Sequence, residues 1–463
     1  MSEPTIADKF LRSAARRGYA TAPVKTARLP PGIPYIVGNE AAERFSFYGM
    51  NAILTAFMAH NLLDAKGKAA PMSGSDAVAY SSLFVSAVYF TPFLGAVVSD
   101  AFLGKFRTVV ILSIVYCFGH LALALNATRV GLFVGLSLIA LGAGGIKPCV
   151  SSNVGDQFGE SNQHLMARVF GWFYFAINFG AFLSQLWIPV LLRDYGPHLA
   201  FGVPGILMLA ATIIFWLGRR KFVHVPPSGN TILNDALSRE GRGIIGRLAV
   251  LYIFCAVFWS LYYQTTSAWV LQADNMDRHW LGHNWISSQL QAINSILILV
   301  FIPLFSYVIY PAAGRLFDLT PLRKISIGFF LTVPSFWITA WVEKQISLGI
   351  HPNIFWQFMA YVFITAAEIL VSITGLEFSY TQAPRKMKSF IMALYFGSIT
   401  LGTFFTYLVN KFNAHDGRHY LEGADYYLFF TWLMLAASVL FIFVALKFKT
   451  QTIIQEESPA PPA

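Results

Sequence analysis

The segment Gly38-Asn39-Glu40-Ala41-Ala42-Glu43-Arg44-Phe45-Ser46-Phe47-Tyr48 places two carboxylates and a guanidinium inside a run otherwise apolar enough to cross a bilayer. At about 100° per residue, Glu40, Glu43, Arg44, Phe47, Tyr48 and Asn51 fall within an arc of about 140° on a helix. Ala42, Phe45 and Gly49 lie opposite. Glu40 precedes Arg44 by four residues, the better orientation for a helical ion pair. A charge near the bilayer centre costs about 2.5–3.5 kcal/mol on insertion scales. The segment is therefore a buried structural salt bridge or the wall of a polar cavity where protons and a charged solute meet.

Two further spans carry intramembrane charge. Gly142-Ala143-Gly144-Gly145-Ile146-Lys147-Pro148 combines small residues, which allow close helix approach, with a lysine that must face a cavity or a partner. Pro148 frees a backbone carbonyl, tolerable where a helix lines a pore or has neighbours. Glu368 is an isolated acid in Ala366-Ala367-Glu368-Ile369-Leu370-Val371-Ser372 and needs a cation, either Lys147 or a substrate ammonium. Asn178 and Asn294 are uncharged donor–acceptors that suit a peptide amide or simple helix packing. Tyr89, Trp259, Tyr262 and Tyr263 are candidate pocket walls. His120 has no acidic neighbour in sequence and reads as structural.

The elements that hold these groups are transmembrane helices. Of 463 residues, 56% are hydrophobic and 12% charged, against the roughly 25% charged residues of soluble domains. A soluble enzyme is excluded. About twelve spans are expected, near 35–60, 76–99, 106–126, 130–153, 167–192, 199–217, 247–272, 285–310, 324–343, 352–376, 388–410 and 425–447, each near the roughly 20 residues a crossing needs. With the N-terminus inside, 23 lysines and arginines fall in cytoplasmic segments and 8 in outer loops, which places both termini in the cytoplasm of a cell (plasma or inner) membrane protein. The net charge of +10 is thus a topology signal, and nucleic-acid binding is not needed to explain it. Cys117, Cys149 and Cys255 lie in spans, so neither a disulfide framework nor a metal site is suggested, and no cofactor is expected. The basic N-terminal tail has no signal-peptide core. A short amphipathic turn around Phe10-Leu11 resting on anionic headgroups, or a disordered tail, are its two readings.

The longest polar connector separates six spans from six. The expected division is a tail (1–34), a first bundle (35–217), a linker (218–246), a second bundle (247–449) and a C-terminal tail (450–463). This all-α, polytopic organisation is that of the major facilitator fold. Gly95 to Asp100, followed by Gly104-Lys105-Phe106-Arg107, resembles that superfamily's cytoplasmic-loop motif, with Asp100 as a structural latch.

The motifs together resemble the proton-dependent oligopeptide transporter family. Glu40-x-x-Glu43-Arg44-Phe45 matches its first-helix signature. Gly95 to Gly104 with Thr108-Val109 resembles the second-helix signature. Phe170-Gly171-Trp172-Phe173-Tyr174-Phe175-Ala176-Ile177-Asn178-Phe179-Gly180 resembles the fifth. Lys147-Pro148, Phe258-Trp259-Ser260-Leu261 and Glu368 with Gly375-Leu376-Glu377-Phe378-Ser379 also fit, so the likeness runs from Tyr35 to Lys449. It implies proton-coupled import of di- and tripeptides by alternating access. By the same resemblance Arg44 and Lys147 would hold the peptide carboxylate and Glu368 its amino terminus. Asn178 and Asn294 would read the backbone, Tyr48, Tyr89 and Trp259 would line the pocket, and Glu40 and Glu43, with Arg44, would couple protons.

Three positions depart from the family pattern. Phe47 stands where the signature has its first tyrosine. Asn51 stands where an arginine is frequent. Tyr263 replaces a helix-seven acid that pairs with that arginine in the extracellular gate of relatives, so Asn51, Tyr262 and Tyr263 are gate or pocket candidates. A symporter of another small solute (an amino acid, anion or peptide-like drug) and a non-transporting peptide sensor remain as alternatives. The Lys147 and Glu368 pair favours a zwitterion over a simple anion.

Overall fold

The computed structural model describes residues 6–227, 239–382, 388–413 and 420–448. Among these, eleven helices are long and apolar enough to cross a membrane. A twelfth, α2 (Ile33–His60), has 28 residues and carries Glu40, Glu43 and Arg44. The first set comprises α2, α3 (Gly74–Val98), α4 (Lys105–Leu125), α5 (Arg129–Asp156), α6 (Met166–Tyr195) and α7 (Pro197–Leu217). In the second, α8 (Arg239–Tyr262) and the short α9 (Ala268–Asp274) make one span, and α10 (Ala292–Leu304) with α11 (Tyr310–Gly314) the next. They are followed by α12 (Pro321–Ser347), then α13 (Phe355–Glu368) with α14 (Thr374–Gln382), α15 (Lys388–Asn413) and α16 (Ala424–Lys447).

Local chemistry sets the boundaries. Ser73, Thr128 and Thr320 accept hydrogen bonds from the backbone N–H of Asp76, Gly131 and Arg323, capping α3, α5 and α12. Pro34 opens α2, where a missing N–H costs nothing. Gly196, at φ 79°, turns α6 into α7. Three spans contain one π turn each or lead into one: Ser99–Leu103 after α3, Phe305–Ile309 after α10 and Ile369–Ile373 directly after Glu368.

Close packing fixes the site. A Cβ on Gly95 of α3 would lie 2.7 Å from the Gly144 carbonyl oxygen of α5, so only glycine lets these helices touch there. That contact brings Lys147 within reach of Tyr89, both within two turns of it. In the first set α2 packs on α6 and α7, and α4 on α5 and α7. In the second, α12 packs on α13 and α16, and α8 on α15. The sets meet through α3 against α15 and α6 against α10.

The N-terminal segment is neither a short turn nor a lipid anchor through Phe10. It forms a helix, α1 (Ile6–Arg17), docked on the protein. The Phe10 ring lies 3.0 Å from where a Gly104 Cβ would stand, and Arg107 sits over that ring at 5.6 Å. Arg107 Nη2 also donates to Ser13 at 3.2 Å. Behind it Tyr19 stacks on His224 at 4.3 Å, and Ala20 bridges to Val223. We call this end of the molecule proximal. The distal end carries His60, Asp274, Asn413 and a small ribbon, β1 (His279–Trp280) with β2 (His283–Asn284). The side chain of Asp100 and the tail from 449 onwards lie outside the described residues.

Candidate functional site

The charged face of α2 is buried rather than lipid-facing. Glu40 and Glu43 are 1% and 0% exposed. Arg44 Nε donates to Glu40 Oε1 at 2.7 Å. Glu43 Oε2 lies 3.1 Å from the same Nε but out of hydrogen-bond alignment. Two carboxylates thus share one guanidinium. Glu40 Oε2, both Glu43 oxygens and the side-chain amide of Asn39 have no protein hydrogen-bond partner. Buried charge left over in this way is costly, and a second cation stands on a neighbouring helix.

Lys147 comes from α5. Its Nζ lies 3.9 Å from the centre of the Phe47 ring and 4.7 Å from that of Tyr89, and it makes no hydrogen bond to protein. Two aromatic faces hold a desolvated cation whose three donors are free.

Glu368 lies across the junction on α13. Asn294 Nδ2 of α10 donates to Glu368 Oε2 at 2.8 Å and to Thr365 Oγ1 at 3.0 Å. The Tyr262 hydroxyl donates to Asn294 Oδ1 at 3.3 Å. Of the two cations the sequence offered Glu368, Lys147 is not its partner in this conformation. A polar amide orients the carboxylate, and no ion pair joins it to Lys147.

Aromatic rings connect the two charged ends. Tyr89 packs against Tyr263 at 5.7 Å and Phe396 at 6.2 Å, joining α3 to the second set of helices. Trp259 packs against Tyr262 at 5.3 Å and Tyr263 at 5.9 Å. Its buried Nε1 has no partner. Tyr48 meets Phe47 edge-on at 5.4 Å.

Asn178 turns its amide to its own helix, donating to the Tyr174 carbonyl at 2.9 Å. Asn51 is buried with an unpartnered Oδ1, while Tyr263 faces Tyr89. His120 is buried against Tyr116. Sequence reasoning missed Phe47 as a seat for Lys147, Phe396 as a wall and Thr365 as a partner of Asn294. Thr365 stands three residues before Glu368, on the same helix face, and that spacing was the available signal. Phe396 carried none in so aromatic a chain.

The profile of the POT family matches residues 106–238 and 233–418. The chain belongs to the POT family. It is 35% identical over 363 residues to "Peptide transporter family 1" of Drosophila melanogaster, covering 68% of this chain and 48% of that protein. It is 36% identical over 375 residues to "Solute carrier family 15 member 2" of Rattus norvegicus, covering 70% and 50%. The chain thus spans about half the length of the curated relatives it matches. Among solved structures, the POT family transporter PepTSo is 33% identical with a TM-score of 0.84, covering 91% of this chain and 99% of that one. An auto-inhibited POT family peptide transporter is 32% identical with a TM-score of 0.83, covering 92% and 99%. The twelve helices are those of a multi-pass membrane protein with a transporter fold of the major facilitator type.

Proposed function

We propose that this POT family chain is a proton-coupled symporter that imports di- and tripeptides by alternating access. The observation that carries the reading is the separation of charge at the helix junction. Arg44 and the free Nζ of Lys147 stand at one end and the oriented carboxylate of Glu368 at the other, with tyrosines between. That polarity complements a short zwitterion. In this reading Arg44 and Lys147 hold the peptide carboxylate and Glu368 its ammonium. Asn294, Tyr48, Tyr89 and Trp259 line the backbone and side-chain walls, and Asn178 reads the peptide backbone only if it releases the Tyr174 carbonyl. The names of similar proteins as peptide transporters support the substrate class.

Charge counting supports proton coupling. Glu40, Glu43 and Glu368 against Arg44 and Lys147 leave one formal negative charge. A zwitterion does not change it, and one proton on the Glu40–Glu43 pair makes the loaded site neutral. A neutral site is the least costly to occlude in low dielectric. The net inward charge then couples uptake to membrane potential, at about 2.3 kcal/mol per 100 mV.

Helices α2–α7 and α8–α16 act as the two moving bundles in this scheme, with both termini cytoplasmic in the plasma or inner membrane and the distal end outside. Hydrogen bonds between the sets gather at that end, among them Thr55 Oγ1 to the Thr266 carbonyl (3.2 Å) and Gln291 Nε2 to the Ala52 carbonyl (2.9 Å). The described conformation is therefore closed outside. Proteoliposomes should take up labelled dialanine when an inward proton gradient is imposed and only equilibrate it otherwise. Gradient-independent uptake, or none, refutes the reading.

A further inference from the structure

The contacts that join the two helix sets at the distal end are of two kinds. Several are neutral: Gln289 Nε2 donates to the Leu186 carbonyl at 2.8 Å and Ser295 Oγ to Gln185 Oε1 at 2.9 Å, beside the Thr55 and Gln291 bonds above. Two are ionic. Lys411 Nζ of α15 lies 2.6 Å from Asp76 Oδ1 of α3, over the Tyr80 ring at 4.5 Å. His60 Nε2, at the last residue of α2, lies 3.1 Å from Asp274 Oδ2, at the last residue of α9. Asn51 and Tyr263 contribute no charge pair to this closure.

The two ionic pairs differ in one chemical respect. Lysine and aspartate stay charged across the physiological range, whereas histidine gains and loses its charge between about pH 5 and 8. The His60 side chain is 56% exposed, so the distal solution reaches it even when this end is closed. Asp274 is held in place to receive it: the Ser287 hydroxyl donates to Asp274, and Arg278 Nη1 lies 3.8 Å from its Oδ1. Among the described residues, Asp274 and Arg278 are the charged groups in contact at this pair. Arg278 does not titrate.

We propose that His60 and Asp274 form a pH-dependent latch across the outer face, beside a constant latch made by Lys411 and Asp76. This rests on the transport reading above for which face is outer. Acid on that face charges His60 and adds an ion pair that exists only when the two helix sets meet there. It thereby biases the molecule towards the outward-closed state, independently of any proton bound at Glu40 or Glu43.

The test is a distance measurement on the full chain in lipid vesicles. Spin labels at Lys66→Cys and Asn284→Cys, in exposed distal loops of the two sets, report the ratio of closed to open populations. His60→Lys should hold the acid ratio at both acidic and alkaline pH. His60→Gln and Asp274→Asn should hold the alkaline ratio. The two ratios should differ by about two- to fivefold, the size of an exposed ion pair. Lys411→Met should raise the open population at every pH. Equal closed-to-open ratios for His60→Lys and His60→Gln overturn the proposal. Dialanine counterflow in the same vesicles separates the two readings. Native protein without counterflow defeats the transport function, whereas counterflow with equal ratios defeats only the latch.

Discussion

Lys147 Nζ sits 3.9 Å from the centre of the Phe47 ring, on another helix, and has no hydrogen-bond partner in the protein. A tyrosine at position 47 would add a hydroxyl to this seat. Phenylalanine supplies only the face of a ring, which attracts the ammonium without satisfying its hydrogen bonds. The three donors of the ammonium are left available for an incoming carboxylate.

Phe47→Leu should therefore weaken dialanine competition by about tenfold, since a desolvated cation–π contact is worth up to about 2 kcal/mol. Phe47→Tyr should stay near the native value. Lys147→Ala should abolish driven uptake, and normal uptake by that variant refutes the carboxylate assignment.

The shared guanidinium leads to a second expectation. Glu40→Gln and Glu43→Gln should keep peptide counterflow but lose accumulation driven by a pH gradient. Arg44→Lys should fail in both assays, because a point charge cannot serve two carboxylates and a substrate as a planar fork does. Tyr263→Phe should leave driven uptake largely intact. Accumulation by the glutamate variants, with loss in Tyr263→Phe, would falsify first-helix coupling.

At the opposite end, Glu368→Gln should weaken competition by dialanine far more than by its N-acetylated analogue. Asn294→Ala should do the same more mildly, because it releases the carboxylate that the 2.8 Å hydrogen bond orients. Equal losses for the two ligands would assign Glu368 to a gate.

His224 gives a pH prediction outside the membrane. Burial lowers its pKa below the ordinary 6.5, so the neutral ring is the form seated between Tyr19 and Phe106. Because the seated value lies below the released one, the contribution to docking is complete above the ordinary histidine range and is lost as pH falls through it. Protection factors of the amides of residues 6–17, corrected for the intrinsic pH dependence of exchange, should fall on acidification. His224→Phe should remove that pH dependence, and an unchanged profile refutes it.

Much of this was legible in the sequence for a physical reason: an intramembrane charge is too costly to be incidental. Glu40, Glu43, Arg44, Lys147 and Glu368 therefore announced themselves, and the apolar runs between them fixed the helices. What the sequence withheld was partner choice. Nothing in the chain says that Glu368 meets Asn294 rather than Lys147, because both options satisfy a buried acid. Nor does it say that Asn178 bonds its own helix. The distal ionic contacts, His60 with Asp274 and Lys411 with Asp76, join residues more than 200 positions apart and lie at span ends where charges are unremarkable. The docked α1 was obscured because a basic amphipathic segment fits a lipid surface as readily as a protein groove.

The π turn at Ile369–Ile373 follows Glu368 within one span. Each such turn inserts one residue into the helical count, an offset of about 100°. A helical wheel drawn through the whole span therefore assigns the wrong side to residues beyond the turn, such as Leu376 and Ser379, when it is anchored on Glu368. Cysteine or alanine scans of this helix need two wheels, one ending at Glu368 and one starting at Thr374. Otherwise the pattern of affected positions will look aperiodic, and a lining segment will be mistaken for an unstructured one.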